Sequence, residues 1–327
     1  MTNDKSIWQA DFYRRPWQDD TGQVLWELLI CDAEGGMLFD HATQTRSDHR
    51  TGNFRYEAIC PQTAANASWL VEQLQLAASN SSQFFSTTPK SISPSPPYQG
   101  GLGGSESVTG QTELALPDII QVFRPQSLSL IATAGQKLGI SVEPTRRTGA
   151  LKQWLRSRIP QYSTTGAYNP LAVDKPPPVP LPENLWGDRW RFASLPAGDL
   201  EAAFKDRPLP ILDMPEFLLP LNLGLASTIA VPGIIIYGGR KSMQLARWLQ
   251  AAQPIALNYV PGELAGLILE AGLADRWVVA TFSDSEAIAS AQTYAQRQQQ
   301  SQGLHFLLVQ PDDSGMTYTG LFLLREE

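Results

Sequence analysis

The sequence predicts an α/β protein built from two mixed-sheet α/β domains joined by a proline-rich linker. Three observations lead there. The chain has 327 residues, enough for two domains that each bury a core. Both halves alternate short apolar runs with longer amphipathic ones, the pattern of strands exchanging with helices. Between the halves lies VDKPPPVPLP, a stiff extended segment. The expected division is a first domain over residues 1–160, a linker over 161–185 and a second domain over 186–327.

The first half opens with three strand-like segments: WQADFYRRP around Trp8 to Arg14, LWELLICD from Leu25 to Asp32, and MLFDHAT from Met37 to Thr43. Turn signals at Asp19-Asp20-Thr21-Gly22 and Glu34-Gly35-Gly36 separate them, so an antiparallel meander is expected. A helix follows over about 63–78, with Trp69, Leu70, Leu74 and Ala77 on one face. Residues 80–116 are rich in Ser, Pro, Gly and Thr and are expected to be an unstructured insertion. Order resumes as a strand over 119–123, a helix over 126–138, a strand over 140–143 and a helix over 147–158. Three strands, helix, strand, helix, strand, helix is the order of a ribonuclease-H-like fold, which by itself fixes no function.

The second half begins with WRFASL as a strand and GIIIY as a buried one. Residues 241–251 read as a helix, IALNYV as a strand, ELAGLILEA as a helix and RWVVATF as a strand. A long helix is expected over 284–302, with Ser283 and Glu286 as a capping box and Gly303 at its end. HFLLVQ and GLFLLR close the chain as a hairpin around Asp312-Asp313-Ser314-Gly315. PDIIQVFRPQSLSLIATAGQKLGISVEP also resembles PGIIIYGGRKSMQLARWLQAAQPIALNYVP, so these two stretches are a candidate internal repeat, with chance likeness of two strand-helix-strand units as the alternative.

Composition limits the chemistry. A net charge of -7 excludes wholesale coating of nucleic acid and leaves only local patches. Two cysteines, Cys31 and Cys60, are too few for a disulfide framework and form no CxxC pair, so a reducing compartment is expected. No apolar run is long enough to span a bilayer, and the start of the sequence carries no signal-peptide core. The expected setting is therefore cytoplasmic.

Positive charge gathers in DIIQVFRPQSLSLIATAGQKLGISVEPTRRTGALKQWL, residues 118–155. Arg124, Arg146, Arg147, Lys152, Arg156 and Arg158 fall close together, with Glu143 the only acid between Ile119 and Val173. A basic surface on an acidic chain is a candidate phosphate site; a solvated helix face is the alternative. Lys152 and Arg156, spaced i and i+4, are expected to share one helix face, opposite Leu151, Trp154 and Leu155. Trp154 fits a core position, with base stacking as its other reading. Gly238-Gly239-Arg240-Lys241-Ser242 joins a strand to a helix, so its backbone N–H groups and two cations make a second candidate phosphate contact, or else an ordinary glycine turn.

Catalytic signatures are missing from the sequence. It has three histidines, His41, His49 and His305, and no HExxH, GxSxG or GxxxxGK[ST] motif. Ribonuclease-H-like enzymes hold two metals with acids on the first and fourth strands. Asp11 lies on the first strand, but the fourth ends in Arg124, whose charge opposes a metal.

Several segments together resemble one family, the Tab-like (ATAB-like) RNA-binding translation factors of chloroplasts and cyanobacteria. They are WQADFYRRP with LWELLICD, VFRPQ followed by EPTRRTGALKQWL, WGDRWRFASLP, PGIIIYGGR, and GLHFLLVQPDDSG with GLFLLRE. The resemblance implies binding of single-stranded A/U-rich messenger RNA, support for translation and biogenesis of photosystem I and also photosystem II subunits, no enzymatic activity and no cofactor. With no transit peptide visible, it implies a cyanobacterial cytosol, peripheral to the thylakoid. It transfers no contact residues. The RNA-binding candidates are therefore Arg124, Gln126, Arg146, Arg147, Lys152, Arg156, Arg240 and Lys241. Two alternatives stay open: an assembly scaffold that meets ribosomes or photosystem assembly proteins, and a metal-dependent nuclease.

Overall fold

The computed structural model describes residues 5–33, 54–85, 116–162, 168–185, 187 and 189–326. It is mixed α/β, and the chain divides into two compact units, Met1–Ala172 and Val173–Glu327. Residues 161–185, read as a linker, are shared between them.

In the N-terminal unit, β1 (Ile7–Gln18), β2 (Val24–Asp32) and β3 (Arg55–Pro61) form an antiparallel meander. Asp19 shapes the first turn by accepting from the N–H groups of Thr21 and Gln23 at 2.9 Å, and Gly22 supplies the positive φ of +80° that the turn requires. The strand expected over 37–43 lies outside the described residues. Next comes α1 (Ala67–Phe85). Its start is later than the apolar pattern indicated, because Gln62–Ala64 forms a 3-10 turn and Asn66 accepts from Ser68 and Trp69 N–H at 3.0 Å, the geometry of an N-cap. Residues 80–85, read as the start of the insertion, are helical; 86–115 lie outside the described residues.

The unit continues with β4 (Ile119–Val122), α2 (Pro125–Leu138), β5 (Ser141–Pro144), α3 (Gly149–Ser157) and α4 (Ile159–Tyr162). Pro125 opens α2 with its fixed φ, and Gly139, at φ +73°, closes it. The sheet order is β3-β2-β1-β4-β5, with β2 antiparallel to its two neighbours and β4 and β5 parallel to β1.

Strand periodicity gives this sheet two unlike faces. Trp8, Ala10 and Phe12 of β1, with Leu28 and Ile30 of β2 and Ile120 and Val122 of β4, pack under Leu70 and Leu74 of α1 and Ile131 of α2. The intervening residues Gln9, Asp11, Arg15 and Glu27 are equally buried on the other face, the side of α3 and α4.

The C-terminal unit holds two sheets. One has the order β7-β9-β13-β14-β8, from β7 (Arg189–Pro196), β9 (Ala230–Tyr237), β13 (His305–Gln310), β14 (Gly320–Leu324) and β8 (Ile211–Asp213). The other has the order β10-β11-β12-β6, from β10 (Pro254–Val260), β11 (Ala265–Ala271), β12 (Asp275–Phe282) and β6 (Val179–Pro180). Its helices are α5 (Ala197–Phe204), α6 (Ser242–Ala252) and α7 (Ser285–Gln300). The run ELAGLILEA, expected as a helix, instead holds β11. That strand pairs with β10 on one side and β12 on the other and is buried at all seven positions, so both faces demand apolar residues and alternation disappears. The cap of α7 is Asp284, whose Oδ1 accepts from Ala287 N–H at 2.7 Å, rather than Ser283; Gly303, at φ +84°, follows its end.

The candidate repeat stops at its helix. In the N-terminal unit β4-α2-β5 returns to a parallel neighbour in the same sheet, whereas β9-α6-β10 leaves one sheet for the other. The closest backbone approach in this unit explains Gly233. A Cβ there would lie 2.2 Å from the ring of Phe306, its cross-strand partner on β13.

Candidate nucleic-acid interface

On the polar face of the N-terminal sheet, five charged groups form one buried network. Asp11 is fully enclosed, and each of its oxygens accepts from an arginine: Oδ1 from Arg124 Nε and Oδ2 from Arg15 Nη2, both at 2.9 Å. Arg15 Nε reaches Glu27 Oε2 at 2.6 Å, and Arg158 Nη2 reaches Glu27 Oε1 at 2.6 Å. Tyr162 of α4 donates to Glu27 at 2.7 Å. Arg158 also bridges to exposed Glu57 at 2.5 Å. A row of amides continues the pattern: Gln9 donates to Gln121 at 3.2 Å, and Gln121 to Glu143 at 3.3 Å, across three strands in register.

The electrostatics follow from this packing. Burial pushes the Asp11 carboxyl upward, but the charges of Arg124 and Arg15 overcome it and hold it below the ordinary carboxylate range. Burial lowers Arg15 in turn, and Asp11, Tyr162 and Glu27 reverse that to a net rise. Burial raises Tyr162, so its phenol stays protonated and donates to Glu27. Both carboxylates are therefore saturated by cations of the chain itself. No cluster of three or more metal-ligating side chains occurs among the described residues.

The candidate contact residues divide into inward and outward sets. Arg124 is 1 % exposed. Besides Asp11 it donates to the carbonyls of Ala172 at 2.7 Å and Pro170 at 2.6 Å, and its guanidinium sits 4.1 Å from the Tyr13 ring centre. It fastens the 168–172 stretch to the sheet. Arg146 and Lys152 are also buried, and Lys152 Nζ donates to the Arg146 carbonyl at 2.5 Å. Lys152 therefore does not share a solvent face with Arg156; a buried carbonyl supplies a partner that helical spacing alone cannot reveal. Trp154 takes the core position, with Arg55 over its ring at 5.2 Å and Arg158 at 5.7 Å.

Facing outward are Gln126, Arg156, Arg240 and Lys241, with Arg147 half-buried. Arg147 lies beside the start of α3. There Leu151 N–H donates to Gln9 Oε1 and Lys152 N–H to the Thr148 carbonyl, each at 3.0 Å, which leaves Gly149 and Ala150 N–H without an acceptor among the described residues. Gly149 is exposed and Ala150 half-buried at this helix start. In the C-terminal unit, Gly238 and Gly239 N–H donate to the carbonyls of Gln310 and Pro311 at 2.8 and 3.0 Å. Those bonds anchor the turn and leave Arg240 and Lys241 to carry any phosphate contact there.

The inward residues Arg15, Glu27 and Tyr162 escaped sequence reasoning. The signal was present in β1: Gln9, Asp11, Tyr13 and Arg15 alternate with Trp8, Ala10 and Phe12, a polar face as continuous as the apolar one. Arg189 was also missed. It sits over the Tyr237 ring at 4.9 Å and pairs with Asp313 at 2.5 Å, three residues beyond the end of β13. The two cysteines are buried, and burial pushes Cys31 up to about 12 and Cys60 up to about 11, which makes both poor nucleophiles. His41 and His49 lie outside the described residues. His305 is fully buried: its Nε2 accepts from Leu257 N–H at 2.8 Å and its Nδ1 donates to the Gly303 carbonyl at 2.8 Å, so it is neutral and structural. No helix among the described residues is long and apolar enough to cross a membrane.

Two family models match the chain. Residues 7–93 and 106–158 match the N-terminal domain of the RNA-binding protein Tab2/Atab2, and residues 168–325 match its C-terminal domain. Similar proteins include the chloroplastic Protein TAB2 homologs of Zea mays and Arabidopsis thaliana. The maize protein is 27 % identical over 97 % of this chain and 70 % of its own length. The Arabidopsis protein is 25 % identical over 97 % of this chain and 74 % of its own length. No solved structure matches.

Proposed function

Because the chain belongs to the Tab2/Atab2 family of RNA-binding proteins in both of its halves, we propose that it binds single-stranded A/U-rich RNA without cleaving it. In this reading it supports translation of messages for photosystem I, and also photosystem II, subunits. The setting would be the cytosol of a cyanobacterium, beside the thylakoid. The observation that carries the reading is the match of both family domains along nearly the whole chain.

The geometry supports binding over cleavage. A ribonuclease-H-like order places Asp11 where an enzyme of that fold would hold a metal, but Arg124 and Arg15 occupy both of its oxygens. The contact residues we assign are the outward ones: Arg147, Arg156 and Gln126 in the N-terminal unit, and Arg240 and Lys241 in the C-terminal unit. With a net charge of -7, binding depends on these patches and falls steeply as salt rises.

Crosslinking in cells followed by sequencing of the bound RNA tests the reading. A/U-rich segments of photosystem messages are the expected product, with intact A/U-rich RNA recovered after incubation with magnesium. A chain that crosslinks only to proteins would overturn it in favour of a scaffold. Magnesium-dependent cleavage lost in Asp11→Asn would overturn it in favour of a nuclease.

A further inference from the structure

The C-terminal unit contains a cavity of about 660 Å3, within the range of sites that enclose small organic molecules. Its walls are mainly apolar: Leu181, Leu185, Ile236, Leu245 of α6 and Val279 of β12, with Trp190 among them. Two further features narrow what it can hold.

The first is an open strand edge. β6 pairs with β12 only at Trp277 and Val278, and Leu181 N–H donates to the Val278 carbonyl at 3.4 Å. Beyond that point the Val279–Thr281 segment lines the cavity with no strand on that side among the described residues. Backbone donors and acceptors facing an otherwise apolar space favour a ligand with an in-plane hydrogen-bonding edge. The second feature is charge. Arg189 is one of the lining residues, and its cross-strand partner Tyr237 leads directly into Gly238-Gly239-Arg240-Lys241 and then into α6. Arg240 and Lys241 are exposed. The Arg189–Asp313 pair is more than half exposed on both sides, so a phosphate can replace the aspartate at little cost.

An apolar wall alone would accept any greasy molecule. Apolar walls with an aromatic ring, an open backbone edge and a cation at the rim match a nucleotide. We propose that this cavity takes one nucleotide of a bound single-stranded RNA. The base lies among Trp190 and the aliphatic walls with its edge toward β12, and the flanking phosphates meet Arg189, Arg240 and Lys241. The proposal rests on the RNA-binding reading above and gives it a base-recognition site.

The test uses the full chain and a fluorescein-labelled U-rich 12-mer, titrated at several salt concentrations. Val279→Phe, which puts a ring where the base would lie, should weaken binding by about tenfold, the worth of one stacked base, without changing the salt slope. The same variant should bind a base-free ribose-phosphate strand as the wild type does. Arg240→Ala with Lys241→Ala should lower the salt slope by about 1.4. Independently of that variant, the wild-type chain should quench a 2-aminopurine placed in the RNA, and Trp190→Leu should relieve that quenching. A folded Val279→Phe with wild-type affinity overturns the assignment. Should that variant not fold, absence of quenching by the wild type overturns it. A wild-type chain that binds no RNA removes the RNA-binding reading itself, whereas RNA binding with neither cavity effect removes only this inference.

Discussion

The two units bury different chemistry. Behind one face of the N-terminal sheet lie Asp11, Arg15, Glu27 and Arg124, closed by Arg158 and Tyr162. The C-terminal unit encloses Ile234, Ile236, Leu307 and Phe322 and a neutral histidine, His305, while its buried Glu270 pairs with the partly exposed Lys175 at 2.6 Å. The difference teaches where a cation is available. Arg124, Arg146 and Lys152 come from the most basic stretch of the sequence, yet all three turn inward. Arg240 and Lys241, from a short glycine turn, face solvent. Cation density along a sequence measures surface charge only where the interior supplies no acid or carbonyl to meet it.

The largest effect should come from breaking the buried network. Asp11→Ala leaves the buried Arg124 guanidinium without a carboxylate and Arg15 with Glu27 alone, and should cost about 3–5 kcal/mol of N-terminal-unit stability. Urea unfolding followed by hydrogen exchange in each unit would show it. A loss spread equally over both units, or below about 1 kcal/mol, would break the contrast.

Acid should separate the units next. Burial pushes the His305 pKa down to about 4 from an ordinary 6.5. The unfolded chain then binds the proton more readily in that window. The histidine's contribution is complete above about pH 6.5 and is lost as pH falls toward about 4, by up to about 3 kcal/mol. The Asp11 carboxyl is shifted the same way from a lower start of 3.8, so the N-terminal network keeps its contribution until pH falls below that value. The C-terminal unit should therefore loosen first on mild acidification. A pH series of exchange protection checks this, and His305→Gln should flatten the C-terminal response alone.

Shape is the C-terminal unit's weak point where charge is the other's. Gly233→Ala drives a methyl into the Phe306 ring and should cost about 1–3 kcal/mol, read as a fall in the melting temperature. The smallest effect on folding should come from Arg156→Ala. An exposed residue of α3 should change stability by less than about 0.5 kcal/mol while lowering the salt slope of RNA binding by about 0.7. A large stability loss there would show that the outward set is structural too.

Much of the fold was legible from pattern. β4-α2-β5-α3 and the closing β13-β14 hairpin announced themselves through proline and glycine punctuation around apolar runs. β11 did not, because a strand buried on both faces loses its alternation and looks like a helix segment. α1 was misplaced at both ends, since residues 62–64 form a 3-10 turn before Asn66 offers its side chain to the first turn, and the polar residues of 80–85 continue the helix. Of the candidate contact residues, Arg156, Arg240 and Lys241 face solvent as expected. Arg124, Arg146 and Lys152 do not, and the cavity lined by Leu181, Trp190, Leu245 and Val279 draws on segments almost a hundred residues apart.

The sequence by itself determined the α/β class, most elements and the family, because hydrophobic period, turn residues and motif order are properties of neighbouring residues along the chain. It also held the polar period of Gln9, Asp11, Tyr13 and Arg15 in plain form. Only the tertiary structure decided what that period means. A strand shows which side chains share a face, but not whether water or another charged strand lies opposite. Pairing β1 with β4 brings Arg124 against Asp11, 113 residues away, and the enclosure of that pair turns cations of a basic segment into part of the core.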